Sequence, residues 1–182
     1  LTVNKASGTV TITNSTLTQT YNGSTRPVTS TTTPSGMTVT YTYTGTGGTS
    51  YTQSATAPTN AGSYTVVATI SDTNYSGTDT QTLTVAKATA TISLSGLTVT
   101  YDGTSKAAGS TTTPSGKTVT YTYTGTGSTT YSTSATAPTN AGTYTVAATI
   151  NDSNYTGSNS GTLTINKATA TITLSGLTNT YD

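Results

Sequence analysis

The sequence predicts an all-β protein built of tandem Ig-like antiparallel β-sandwich domains in a rod-like array. Three observations carry this. An eighty-residue segment occurs twice in succession, residues 11–90 matching 91–170 at 53 of 80 positions. Apolar residues alternate with threonine along most of the segment. No stretch shows a helical period, and Glu, a good helix former, is absent. A domain-sized unit repeated in tandem is the usual build of a spacer, stalk or fibre.

The elements follow one another clearly in the second copy. Thr113-Pro114-Ser115-Gly116 predicts a turn, with Pro set for a type I bend and Gly at its exit. In the run after it, Val119, Tyr121 and Tyr123 face one way and Thr118, Thr120, Thr122 and Thr124 the other. Period two with one apolar face marks a half-buried strand, and β-branched threonine suits its pleated surface. Pro138-Thr139-Asn140-Ala141-Gly142 introduces the next strand, where Tyr144, Val146, Ala148 and Ile150 share a face. Asn154-Tyr155-Thr156-Gly157 breaks the chain again, and Leu163 with Ile165 marks the last strand. Ala170, Ile172 and Leu174 then restart the pattern. About seven short strands fit each unit, in two antiparallel sheets.

These elements predict four segments: 1–6 as the last strand of a preceding repeat, 7–87 as repeat domain 1, 88–167 as repeat domain 2, and 168–182 as the first strands of a following repeat. LTVNKA at Leu1 returns as LTVAKA at Leu83 and LTINKA at Leu163, so the chain reads as a window on a longer array. Strand runs almost directly into strand around Lys87 and Lys167, which predicts short, stiff joints. The first joint is two residues longer, and Ser7-Gly8 predicts that it is slightly looser.

Composition narrows the partners. Thr supplies 57 and Ser 22 of the 182 residues. Leu, Ile, Val and Phe sum to 24, a level at which disorder is suspected when net charge is high. Here the net charge is +1, and thirteen tyrosines provide the apolar bulk that Phe and Trp do not. The six basic residues stand singly, so no stripe exists for a nucleic-acid backbone. No apolar run has the length of a membrane span. Without Cys there is neither a disulfide nor a thiolate metal site. The expected partners are neighbouring repeats of the same chain. Low net charge also permits copies to pack side by side into a fibre.

The ordered runs TYDGTSKAA, TTTPSGKTVTYTYTG, ATAPTNAGTYTVAATINDSNY and GTLTINKATATITL resemble the MBG-type and bacterial Ig-like tandem repeats of large bacterial surface proteins and adhesins. The likeness spans the whole chain. It implies an extracellular or cell-surface repeat array, with either a β-grasp or an Ig-like fold. A β-grasp needs a helix across its sheet; the absence of any helical segment favours the sandwich. The resemblance implies no ligand-binding residue.

No catalytic residue emerges. Without His, Cys or Glu, the common bases and zinc ligands are missing, and hydroxyls without a base are weak nucleophiles. No cofactor and no metal are expected. Asp72 and Asp152 recur in D-x-N-Y-[ST]-G, but a calcium shell needs six to eight oxygens, and a capped turn is the simpler reading. A Lys–Asn cross-link at Lys87 or Lys167 would require a buried acid; a solvated or ion-paired Lys is preferred. Tyr64 and Tyr144 occupy the place of a corner tyrosine, with the ring buried and the hydroxyl on the preceding turn. Tyr41, Tyr43 and Tyr51, matched by Tyr121, Tyr123 and Tyr131, read first as core filling and second as a sugar-stacking platform. Twisted sandwich sheets argue against an ice-binding threonine face. The predicted function is a non-enzymatic rigid spacer in a bacterial stalk, adhesin or filament. The alternative is a module that binds carbohydrate or a host surface through Tyr-rich loops.

Overall fold

The protein is described by a computed structural model covering residues 2–176, 178, 180 and 181. Among the described residues sixteen strands follow in chain order. The first eight are β1 (Ala6–Ser7), β2 (Thr9–Ile12), β3 (Thr18–Thr20), β4 (Ser30–Thr33), β5 (Val39–Thr46), β6 (Gly62–Ile70), β7 (Tyr75–Ser76) and β8 (Thr78–Ala86). The others are β9 (Ala88–Thr89), β10 (Thr91–Ser95), β11 (Thr98–Thr100), β12 (Gly109–Thr113), β13 (Val119–Gly125), β14 (Gly142–Ile150), β15 (Tyr155–Thr156) and β16 (Ser158–Asn166). The protein is all-β, in two sandwich-like units; a single 3-10 turn at Asn14–Thr16 is the one helical element among the described residues.

The chain divides into two compact units. The first comprises Leu1–Ala90 with Asn151–Thr156, the second Thr91–Ile150 with Gly157–Asp182. In the first, a four-stranded sheet runs in the order β3-β8-β6-β5 and faces the antiparallel pair β2-β4. Tyr43 pairs with Val66, and Tyr64 with Leu83, so the alternating apolar residues of β5, β6 and β8 fall on one face. That face meets Val10 and Ile12 of β2, closing a core with Val28, Ala68, Ile70 and Val85. The second unit repeats the arrangement, with the sheet β11-β16-β14-β13 and the pair β10-β12. Tyr123, Tyr144, Val146, Leu163 and Ile165 form its core.

Three details correct the sequence reading. The sheets are not purely antiparallel: β3 runs parallel to β8 and β11 parallel to β16, as do the two-residue pairs β1–β7 and β9–β15. Both Thr–Pro bonds, Thr33–Pro34 and Thr113–Pro114, are cis rather than the trans bonds of a type I bend, while Gly36 and Gly116 exit at φ of 82° and 76°. The two extra residues of the first copy do not lie at Ser7-Gly8. Thr9 pairs with Thr33 as Thr91 pairs with Thr113, and Ala6–Ser7 pairs with Tyr75–Ser76 as Ala88–Thr89 pairs with Tyr155–Thr156. Thr18 and Thr98 are again equivalent, facing Thr84 and Thr164. The insertion is therefore taken up between Ile12 and Thr18, where the 3-10 turn sits.

Residues Ala168–Gly176, expected to begin another repeat, form no strand.

Candidate functional site

The residues singled out in sequence are spread along each sandwich, the corner tyrosines near the start of β6 and β14 and the Asp72 and Asp152 turns just past the other end of those strands. Tyr64 and Tyr144 open β6 and β14 with their rings in the core, 1% and 2% exposed. Their hydroxyls donate to the Asn60 and Asn140 carbonyls, each at 2.7 Å, clamping the Pro-Thr-Asn-Ala-Gly turn that precedes each strand. Burial raises both phenols above the ordinary tyrosine value, with Tyr51 adding to the effect at Tyr64 and Tyr131 at Tyr144.

Around each corner the tyrosine rings meet one another, and their hydroxyls bond main chain or serine. Tyr51 meets Tyr64 edge-on at 5.5 Å, and Tyr131 meets Tyr144 at 5.6 Å. Tyr51 and Tyr131 donate to the Thr56 and Thr136 carbonyls. Tyr43 and Tyr123 accept from the Val28 and Ala108 N–H groups. The Tyr41 and Tyr121 hydroxyls hydrogen-bond the Ser30 and Ser110 hydroxyls. The Tyr43 phenol is also raised, chiefly by burial. This is the arrangement of core filling: rings inside, with hydroxyls used within the fold.

The acidic residues hold turns and strands. Asp72 Oδ1 accepts from the Asn74 and Tyr75 N–H groups, and Asp152 Oδ1 does the same for Asn154 and Tyr155. Lys5 and Lys87 donate to the carbonyls of Asp72 and Asp152, at 2.7 Å each. These lysines thus cap the loop through its main chain. Asp79 Oδ2 accepts from Ile12 N and ties β2 to β8. Asp102 pairs with Lys106 at 2.5 Å, and that bond, with two from Thr104, holds its carboxyl far below the usual range. Among the described residues no three His, Cys, Asp or Glu side chains gather as a metal site.

Each unit has open recesses; one of 440 Å³ in the first lies among Ser30–Thr32, Ser35–Met37, Val39 and Tyr41, and two lie in the second. A recess of 550 Å³ is lined by Ser128–Tyr131, Asn140–Tyr144 and Thr164–Lys167. A second, of 460 Å³, lies between Tyr101, Asn140, Ala141 and the Lys167–Ala170 segment. Sequence reasoning named Tyr131 and Tyr144, which line the recess of 550 Å³, but not the hydroxyl and amide side chains around them, which recur in every turn of the chain.

Two consecutive sandwich-like units with near-identical strand orders define a tandem-repeat β protein. The family model described as MBG domain matches residues 8–89 and again 90–169, and the chain belongs to that family. Comparison with curated proteins and with solved structures gave no match.

Proposed function

We propose that the chain is a non-enzymatic spacer of an extracellular bacterial surface protein, its repeats 7–87 and 88–167 serving to set distance. The observation that carries this reading is duplication of a whole domain with almost no intervening chain: only Lys87 separates β8 from β9. Gly/Ser linkers confer flexibility, and none is present here. The absence of His, Cys and Glu supports a non-catalytic role, as does the use of the clustered tyrosine hydroxyls within the fold. Family membership supports a location at the cell surface, in an adhesin or filament. No helix among the described residues is long and apolar enough to cross a membrane. Hydroxyl-rich flanks and a net charge of +1 leave side-by-side packing of copies open to a filament.

Small-angle scattering tests the reading. A spacer gives an elongated particle with a narrow distribution of lengths, each unit adding roughly 35–40 Å, from strands of about 8 residues plus end loops. A compact particle, or a broad spread of lengths, contradicts it.

The second reading, a carbohydrate-binding module, rests on the polar recess beside Tyr131 and Tyr144. A glycan-array signal lost on Tyr131→Ala would favour it over the spacer.

A further inference from the structure

Residues 21–26 and 101–106 form the same loop in the two units. The Tyr21 and Tyr101 N–H groups donate to the Ala86 and Asn166 carbonyls, and those of Arg26 and Lys106 to the Pro58 and Pro138 carbonyls. Gly23 and Gly103 turn at φ of 85° and 83°. Asn22 Oδ1 accepts from Ser24 N at 3.0 Å, as Asp102 Oδ1 accepts from Thr104 N at 2.9 Å.

The main chain is alike, but the charge is not. In the second unit the other Asp102 oxygen, Oδ2, pairs with Lys106. In the first, Nδ2 of Asn22 takes the place of that oxygen, four residues before Arg26. An amide nitrogen and a guanidinium are both donors only, so they cannot bond to each other. Arg26 Nε is buried without a hydrogen-bond partner among the described residues, and its own loop offers it no carboxylate.

Asn22 is also the one Asn followed by Gly; every other Asn of the sequence precedes a residue with a Cβ. An Asn side chain can close a succinimide ring on the N–H of the next residue, and a Cβ there crowds the attack. Asn22, Gly23, Ser24 and Thr25 are exposed, so water reaches the loop. No hydrogen bond among the described residues holds the Gly23 N–H. The Ser24 N–H polarises the Asn22 side-chain carbonyl and stabilises the charge that develops on its oxygen. We propose that Asn22 is a site of self-modification: its amide is lost by ring closure on Gly23 N, and the carboxylate that results pairs with Arg26.

In the first step Gly23 N gives its proton to solvent and bonds to Asn22 Cγ. The Cγ–Nδ2 bond breaks, and ammonia leaves with a proton taken back from solvent. Water then opens the ring. Cleavage between Cγ and Gly23 N leaves aspartate in the original main chain; cleavage at the main-chain carbonyl leaves isoaspartate. One water is consumed and one ammonia released, with no oxidation or reduction. Both products can close the ring again, so the form that the fold holds accumulates. Only aspartate keeps the main chain of the loop, the bond to Ser24 N and an oxygen for Arg26. Asp102-Gly103 is protected, because its carboxylate is ionised and held by Lys106 and Thr104, and an ionised carboxylate is a poor electrophile.

Ageing the full chain in mildly alkaline buffer, with peptide mapping by mass spectrometry over time, tests this. The peptide holding Asn22 should gain the mass of an amide turned acid before any other Asn does, with ammonia released in step. The rate should rise with pH, because the attacking nitrogen must lose its proton. Gly23→Ala should slow the loss by about tenfold or more, its Cβ crowding the ring closure. Asn22→Gln, which leaves Gly23 in place but needs a larger ring, should abolish it over the same period. The folded chain should yield a larger share of aspartate than the same chain aged in urea. In Asn22→Asp the carboxyl at position 22 should titrate below the ordinary aspartate value of about 3.9, and Arg26→Gln in that background should move it back towards that value. The Arg26 side-chain N–H resonances of the aged wild type should shift to where Asn22→Asp places them. Amide loss at position 22 that is no faster than at another Asn, or that Gly23→Ala leaves unchanged, overturns the proposal. So does an equal aspartate share in folded and denatured chain, a carboxyl that Arg26→Gln leaves unmoved, or Arg26 resonances that ageing does not shift. The outcome is independent of the scattering test of the spacer reading.

Discussion

Tyr144 shows how much one side chain does in a chain so poor in large apolar residues. Its ring fills the core, and its hydroxyl fixes the turn that leads into β14. Tyr144→Ala should destabilise its unit by about 3–5 kcal/mol, measured by urea unfolding. Tyr144→Phe keeps the ring and loses only the bond to Asn140, so it should cost about 0.5–1.5 kcal/mol. The difference between the two separates packing from turn-clamping; equal costs would contradict the geometry. The raised phenols of Tyr43, Tyr64 and Tyr144 fix a direction with pH. Each is neutral in the fold at a pH where the unfolded phenol has begun to ionise. Their contribution is whole below the ordinary value of about 10 and is lost as pH rises through the folded values. Thermal melts should therefore hold steady from neutral pH to about 9 and fall steeply above about 10. Calcium is a contrasting case. Asp72 and Asp152 spend their Oδ1 atoms on main-chain N–H groups, so melts with calcium and with chelator should coincide. The tyrosine positions were legible in sequence because an aromatic at the head of an alternating run has few places to go. The partners of Lys5 and Lys87 were not, since a carbonyl acceptor leaves no mark on side-chain identity.

At the scale of the strand, alternation placed β5, β6, β8 and their counterparts on the correct faces. It could not place the edges. Threonine at every second position makes these strands self-similar in steps of two, so letter-by-letter matching puts Thr11-Ile12 on Thr91-Ile92. The pairing instead puts Thr9-Val10 there. A two-residue shift preserves the buried face, and so costs the pattern nothing. A one-residue insertion would invert it. Adding a single residue between Thr11 and Ile12 should therefore destabilise the first unit, whereas adding one between Asn14 and Ser15, in the turn, should change its melt little. Glycine marks another constraint that composition conceals. A Cβ on Gly125 would collide with Thr129 O and lie 2.7 Å from Tyr131 N, and Gly45 stands in the same relation to Thr49 and Tyr51. Gly125→Ala should cost about 1–3 kcal/mol in the same unfolding assay, as forced overpacking does.

Across the whole molecule, duplication was plain in the sequence, whereas the mixed sheet was not. Nothing in a run such as LTVT tells whether its neighbour runs with it or against it, because both ladders use the same main-chain groups. The parallel pairing of β3 with β8, and of β11 with β16, nonetheless has a consequence for any array under tension. Near the start and at the end of each unit the chain runs through strands that lie side by side in one direction. When the two ends are pulled apart, such neighbours slide past each other along their length. Their hydrogen bonds are then loaded in shear and share the force, instead of opening one at a time like a zipper. Forced unfolding is governed by the barrier to that first rupture, so the equilibrium stability of the unit does not set its resistance. Replacing Gln19 by Pro should lower the rupture force in single-molecule pulling far more than it lowers the melt of the first unit, because proline deprives a short edge strand of a donor while sparing the core. A tether can thus hold against sudden tugs while remaining only modestly stable at rest.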